Sequence, residues 1–460
     1  MNGRVLPRST IPIALAILAG WSPAPAAGPE AHARIDRLVR PFVDSGLALG
    51  LVVGVLDGDG SRVFGFGRIQ EGSEKAPGGD TAFEIGSITK VFTAVVLQRL
   101  VEKGQVKLDE PVAKLLPESV KVPRRGDREI TLIDLATHTS GLPRLPGNLE
   151  SRNPDDPYAG YTAEMLHAFL SNHELARTPG TKYEYSNLGT ALLGHALARR
   201  AGKPYEELVL SLVCEPCGLK DTRITLDDRL RKRLAPGHDA DGVPAASWTF
   251  DVIAPAGALR STANDLLRFA AANLGLVETP LRDTLEAAHK VRDEKSGMGL
   301  GWHRLADRRT IFHNGGTGGF RSFLALDKER KLAVVVLANT ALEEVDALAV
   351  AVLEVLRGRE PKPLEVRWPV KVAPADLERV CGEYELAPGA VLTVSRDGGK
   401  LFAQLIGQPR ARIYPASVEK YFYRIVDAEI TFEREEKGKG RVKGLVLHQN
   451  GRDQRAKRKR

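Results

Sequence analysis

The octapeptide Phe83-Glu84-Ile85-Gly86-Ser87-Ile88-Thr89-Lys90 decides how this chain is read. Ser87 opens an apolar stretch that runs to about Lys103 and closes on Gly104, the residue type that most often caps a helix C-terminus. Positions three apart share a helical face, so the Lys90 amine reaches the Ser87 hydroxyl. A serine hydroxyl is a weak nucleophile and needs an adjacent base. Lys90 lies among Ile88, Val91, Phe92, Val95 and Val96, where desolvation lowers an amine's pKa and suits it to that task. An ordinary N-cap serine is the competing explanation. A capping box, however, wants Glu or Gln three residues on, and a cation there opposes the helix dipole. Lysine is the wrong residue for a cap and the right one for catalysis. Ser-x-x-Lys by itself is still common by chance, so the reading needs support from elsewhere in the chain.

Two further segments supply it. Tyr185-Ser186-Asn187 follows the turn Thr178-Pro179-Gly180. A tyrosinate beside an ammonium relays a proton between nucleophile and leaving group, and an asparagine holds a substrate amide. A packed tyrosine and an N-cap Asn187 before a helix over Leu188–Ala201 would give the same residues. The third segment, His313-Asn314-Gly315-Gly316, ends a strand and enters a glycine-rich turn to Phe320, where a ligand can approach the backbone closely. A plain flexible hairpin is the alternative there.

In this order the three segments resemble the penicillin-binding protein and class C β-lactamase superfamily, the β-lactamase-related serine hydrolases. The similarity runs from about Ala31 to Gly358 and takes in Leu135 to Pro143, Leu259 to Leu266 and Gly299 to Trp302. The resemblance implies a covalent mechanism in which Ser87 forms an acyl-enzyme, with Lys90 and Tyr185 as the other catalytic residues. It assigns Asn187, His313, Asn314, Gly315 and Gly316 to substrate binding, and the backbone N–H groups of Ser87 and Gly316 to the oxyanion. No cofactor and no metal are implied, and no His-Glu-x-x-His or paired Cys/His spacing occurs. The expected substrates are small molecules or peptides: β-lactam amides or D-amino-acid peptides. The alternatives are an esterase or D-aminopeptidase with little β-lactamase activity, and an inactive ligand-binding paralogue. Family β-lactamases usually carry Lys-Thr-Gly where this chain has His313-Asn314-Gly315. A histidine is only partly charged near neutral pH, so a substrate carboxylate is held less firmly. His138, in the loop Leu135–Pro143, reads as structural.

Strands at both ends of the first 358 residues enclose a helical middle. That pattern predicts an α+β fold: a β-lactamase/transpeptidase-like antiparallel sheet flanked by helices, with a helical insert. Gly358 to Pro374 carries four prolines and reads as a linker over 359–374. From 375 to 460 seven short strands, the first Gly382–Leu386 and the last Val442–His448, predict a small all-β barrel-like domain, which resembles the lipocalin-like domain that often follows such hydrolases. Its Tyr421-Phe422-Tyr423 reads as a core strand.

The N-terminus has the charged, apolar and small-residue order of a secretory signal over 1–27, which predicts export to the periplasm or medium. No apolar run is long enough to span a bilayer. The net charge of +8 resides in Arg4, Arg8 and the run Arg452–Arg460, which leave about one unit elsewhere. With no basic groove interleaved with aromatics, nucleic acid is not an expected partner. The basic C-terminus reads as a solvated end with weak attraction for anionic surfaces. Cys214, Cys217 and Cys381 are too few for a disulfide scaffold. Cys214 and Cys217 read as small core residues, with a bridge between them left open.

Overall fold

The run Leu332–Ala338 has no polar residue, and all seven of its positions are buried. In this computed structural model, which describes residues 29–58, 60–150, 153–436 and 439–459, the reason is plain. The strand lies inside a six-stranded antiparallel sheet that is covered on both faces. Ala333, Val335 and Leu337 face one core, and Leu332, Val334, Val336 and Ala338 face the other. Its neighbour Gly50–Asp57 divides in the same way, with Val52 and Leu56 on one side and Leu51, Val53 and Val55 on the other. Helices Pro29–Asp44 and Val345–Leu356, from the two ends of this region, cover one face. The helical middle of the chain covers the other. The strand order places Gly60–Gly67 and His303–Arg304 at the two edges, with Thr310–Gly316 next to the second edge. The second edge strand is short, only His303–Arg304. The residues 1–27 read as a signal lie outside the described residues.

Thr89–Glu102 forms the central helix, and Thr89 to Gln98 is buried on every side. A helix apolar all round belongs in an interior. Here Phe92 stacks on Phe269 with ring centroids 4.6 Å apart. Ser87 sits one turn earlier, in a 3-10 segment over Gly86–Ile88 that leads into the helix. The sharp entry depends on Gly86, whose φ of +48° is the left-handed conformation glycine adopts without penalty.

The C-terminal region closes into an eight-stranded barrel, one strand more than the sequence suggested. The added strand is Arg452–Arg458, part of the basic run read as a solvated end. It pairs with Lys439–Gln449 and with Gly382–Ala387 and so completes the barrel. Ala456 is its one buried residue, so the charged sequence carries no alternating apolar signal. Helix Pro374–Val380 adds Leu377 and Val380 to the barrel core.

Residues 359–373 hold no regular element, yet they pack as a strap. Leu364 and Val366 lie against the terminal-helix core, and Trp368 meets Phe42 edge-on at 4.9 Å. Alternation divides the aromatic strand Lys420–Tyr423: Tyr421 points into the barrel, while Phe422 packs outward with Leu47 and Tyr414. The Tyr414 hydroxyl donates to the Ala240 carbonyl at 3.0 Å, and Arg412 donates to the Asp241 carbonyl at 2.9 Å. The barrel is thus anchored to the sheet-and-helix region by part-buried hydrogen bonds as well as apolar contact. Cys214 and Cys217 are free, buried thiols, and burial raises the pKa of both.

Candidate active site

Three elements converge on Ser87. The 3-10 turn supplies the hydroxyl, the central helix supplies Lys90, and the strand end Asn314–Gly316 closes the third side. Lys90 Nζ stands 2.9 Å from Ser87 Oγ and donates to the Ala256 carbonyl at 2.6 Å. Lys90 is 1% exposed, and the pKa of its amine is lowered well below the ordinary 10.5, first by burial and then by the positive charge of Arg144. A neutral amine is the form that accepts a proton. Tyr185 lines the same cleft as Ser87, and burial pushes its phenol pKa up. The Lys90 amine lies over its ring at 4.9 Å. Burial penalises tyrosinate and ammonium alike, which works against the charged pair the sequence suggested.

Ser186, not Asn187, caps the helix Asn187–Ala201: its hydroxyl accepts from the Gly189 N–H at 2.8 Å. Asn187 is therefore free to face the cleft. It donates to the Tyr158 hydroxyl at 3.2 Å, and its Oδ1 is buried without a partner. Ser87, Tyr185, Asn187, Asn314, Gly315 and Gly316 line one cavity of about 470 Å³. The Asn314 amide also reaches back to Asp346 at 2.5 Å. Gly315 and Gly86 let two backbones touch. A Cβ on Gly315 would stand 2.9 Å from the Ser87 nitrogen, and one on Gly86 would stand 2.7 Å from the Gly316 nitrogen. The two N–H groups expected to hold an oxyanion therefore belong to segments in direct contact.

His313 does not line that cavity. It is wholly buried, its Nδ1 lies 2.6 Å from the Asn314 carbonyl oxygen, and its ring stands 6.4 Å from that of Tyr185. Burial and the neighbouring His303 and Lys90 lower its pKa well below 6.5, so the imidazole is neutral. It forms the wall behind Tyr185 rather than a cation facing substrate.

Sequence reasoning missed several residues of the site. Tyr158, Trp248 and Arg144 line the cleft with Ser87. Arg144 directly follows the segment Leu135–Pro143, so the signal stopped one residue short. His138 brackets Tyr185: its carbonyl accepts from the Glu184 N–H at 2.8 Å and its Nδ1 from the Ser186 N–H at 3.2 Å. Its φ of +59° is uncommon for a side chain with a Cβ. Among the described residues, no group of three His, Cys, Asp or Glu is arranged to hold a metal ion.

The model of the β-lactamase family matches residues 35–357, and that of a domain of unknown function, DUF3471, matches residues 367–458. The chain is 31% identical over 319 residues to the D-alanyl-D-alanine-carboxypeptidase/endopeptidase AmpH of Escherichia coli K12, an alignment that covers 65% of this chain and 81% of that protein. It is 28% identical over 344 residues to a β-lactamase of Pseudomonas fluorescens, covering 66% and 92%. A solved β-lactamase/D-alanine carboxypeptidase from Yersinia pestis, complexed with citrate, superposes with a TM-score of 0.61 at 27% identity, covering 71% of this chain and 99% of that one. With the family model spanning the whole sheet-and-helix region, this chain belongs to the β-lactamase family and is a serine hydrolase.

Proposed function

We infer that the protein hydrolyses D-amino-acid peptides through an acyl-enzyme on Ser87. The observation that carries this reading is the Lys90 amine, buried and 2.9 Å from the Ser87 hydroxyl oxygen, with Tyr185 lining the same cleft as that hydroxyl. As Ser87 Oγ attacks the carbonyl carbon, its proton passes to Lys90. The N–H groups of Ser87 and Gly316 hold the developing oxyanion. Collapse breaks the C–N bond. The departing amine takes the Tyr185 proton, and the Lys90 ammonium returns a proton to Tyr185. Water then attacks the ester with the same groups acting as base, and Ser87 regains its proton.

The peptide preference is supported by the likeness to a named carboxypeptidase/endopeptidase. The experiment compares a D-alanyl-D-alanine peptide, a chromogenic cephalosporin and a p-nitrophenyl ester, with wild-type protein beside Ser87→Ala. Peptide turnover that Ser87→Ala abolishes is expected. Cephalosporin turnover exceeding peptide turnover would overturn the substrate assignment. The segment 1–27 acts as an export signal in this reading, checked by N-terminal sequencing of the protein released from cells.

A further inference from the structure

We propose that Arg144 is the anchor for a carboxylate on the substrate and sets the specificity of the cleft for anionic peptides. This deepens the hydrolase reading above and rests on it. Among the described residues, three cationic side chains stand in or directly against the cleft, and two of them are committed elsewhere. Lys90 is buried against Ser87 and Ala256. Arg321 is held by Asp346 through two hydrogen bonds, at 2.9 and 2.6 Å. Arg144 is exposed, lines the same cavity as Ser87, and has no carboxylate within ion-pair distance among the described residues. His313, where family β-lactamases carry lysine, is sealed behind Tyr185 and offers no charge to a ligand.

The position of Arg144 is fixed despite its exposure. Its carbonyl oxygen accepts the N–H groups of Asn187 at 3.0 Å and Leu188 at 3.2 Å, which ties its backbone to the first turn of the helix carrying Asn187. Its guanidinium lies over the Tyr185 ring, 5.1 Å from the centroid. A planar cation with free donors, held against the proton-relay tyrosine and facing the nucleophile, suits a carboxylate bound in bidentate fashion. Its field already reaches the reacting groups, since it lowers the proton affinity of Lys90 and of Tyr185. An incoming carboxylate neutralises that charge and raises the basicity of Lys90 as substrate binds.

The test uses an N-acylated D-alanyl-D-alanine peptide with a free C-terminal carboxylate, its C-terminal carboxamide, and a p-nitrophenyl ester pair that differs only in a terminal carboxylate on the acyl chain. Wild-type protein should prefer the carboxylate member of at least one pair. In Arg144→Gln that preference should fall by about 10- to 100-fold, the range for a charge-assisted hydrogen bond, with Arg144→Lys intermediate. The change should lie in KM more than in kcat. The Ser87→Ala protein reads binding alone, by calorimetry with the two peptides, and needs no turnover. Arg144→Gln on that background should erase the carboxylate preference. If Arg144→Gln weakens carboxylate and carboxamide equally, or leaves the preference intact, the anchor is overturned while the hydrolase reading stands. If no substrate acylates Ser87, the hydrolase reading fails, and the binding arm still decides the role of Arg144.

Discussion

The Lys90 amine and the Ser87 hydroxyl oxygen lie 2.9 Å apart, and no acid is among the groups that act on the lysine's protonation. Burial first, then the charge of Arg144, lowers its pKa well below 10.5. The base form therefore persists to lower pH than for an exposed lysine. The acid limb of kcat/KM should lie well below pH 10.5, with rate falling as Lys90 gains its proton. Arg144→Gln removes a positive neighbour, so the limb should move to higher pH. An unmoved limb would contradict the assignment of Lys90 as base. Lys90→Arg, which cannot deprotonate, should lower kcat by about 10²- to 10⁴-fold.

Tyr185 protonates the leaving group in this account, so its loss should depend on what leaves. An amide nitrogen needs a proton to depart, whereas p-nitrophenolate does not. Tyr185→Phe should lower kcat on the peptide by about 10²- to 10⁴-fold and spare much of the rate on the p-nitrophenyl ester. Equal losses on both substrates, measured under steady-state conditions, would assign Tyr185 to the attack step instead.

Gly315 packs where no side chain fits. A Cβ there would overlap the Ile85 carbonyl oxygen and stand 2.9 Å from the Ser87 nitrogen, both rigid backbone. Gly315→Ala should separate the two segments that hold the oxyanion and reduce kcat by about 10²-fold or more, the cost of losing one such donor. Circular dichroism distinguishes this from unfolding. A folded variant with wild-type kcat would remove Gly315 and Gly316 from the oxyanion site.

Two buried imidazoles make stability depend on pH. Burial lowers the pKa of His289 to about 3 and that of His303 to about 4, against an ordinary value of 6.5. His289 Nε2 pairs with Asn273 Oδ1 at 2.8 Å, while its Nδ1 is buried without a partner. A second proton there would have nothing to bind. Between pH 6.5 and the folded values the unfolded chain holds more protons, so stability is full above about 6.5 and is lost as pH falls toward 4 and then 3. Each histidine contributes at most about 1.4 kcal/mol per pH unit in that window. Tm measured from pH 7.5 to 4 should decline below 6.5, and a flat profile would contradict the burial argument.

The sheet, the central helix and the barrel were legible because their apolar runs are strong: Leu332–Ala338 is unbroken, and Val91 to Leu97 in the central helix is interrupted only by Thr93. The last barrel strand was not, since a strand that buries only Ala456 carries no alternation. Within the site, the serine–lysine spacing follows from helix geometry, so sequence alone brought those two together. Arg144 escaped because it comes close to Tyr185 only through tertiary packing, 41 residues earlier in the chain, whereas His138 was read as structural and does hold the backbone on both sides of Tyr185. The orientation of His313 was equally hidden. Its strand was evident, but its enclosure behind Tyr185 depends on His303 from the neighbouring edge strand.

The central claim is that Ser87 accepts the acyl group, and peptide-mapping mass spectrometry of a trapped adduct tests it most directly. A slowly released penicillin is mixed with the protein, the reaction is quenched in acid, and the digest is searched for the added mass. The account predicts the adduct on the peptide that contains Ser87 in the wild-type protein and no adduct in Ser87→Ala. An adduct on another residue, or undiminished substrate turnover by Ser87→Ala, would contradict it.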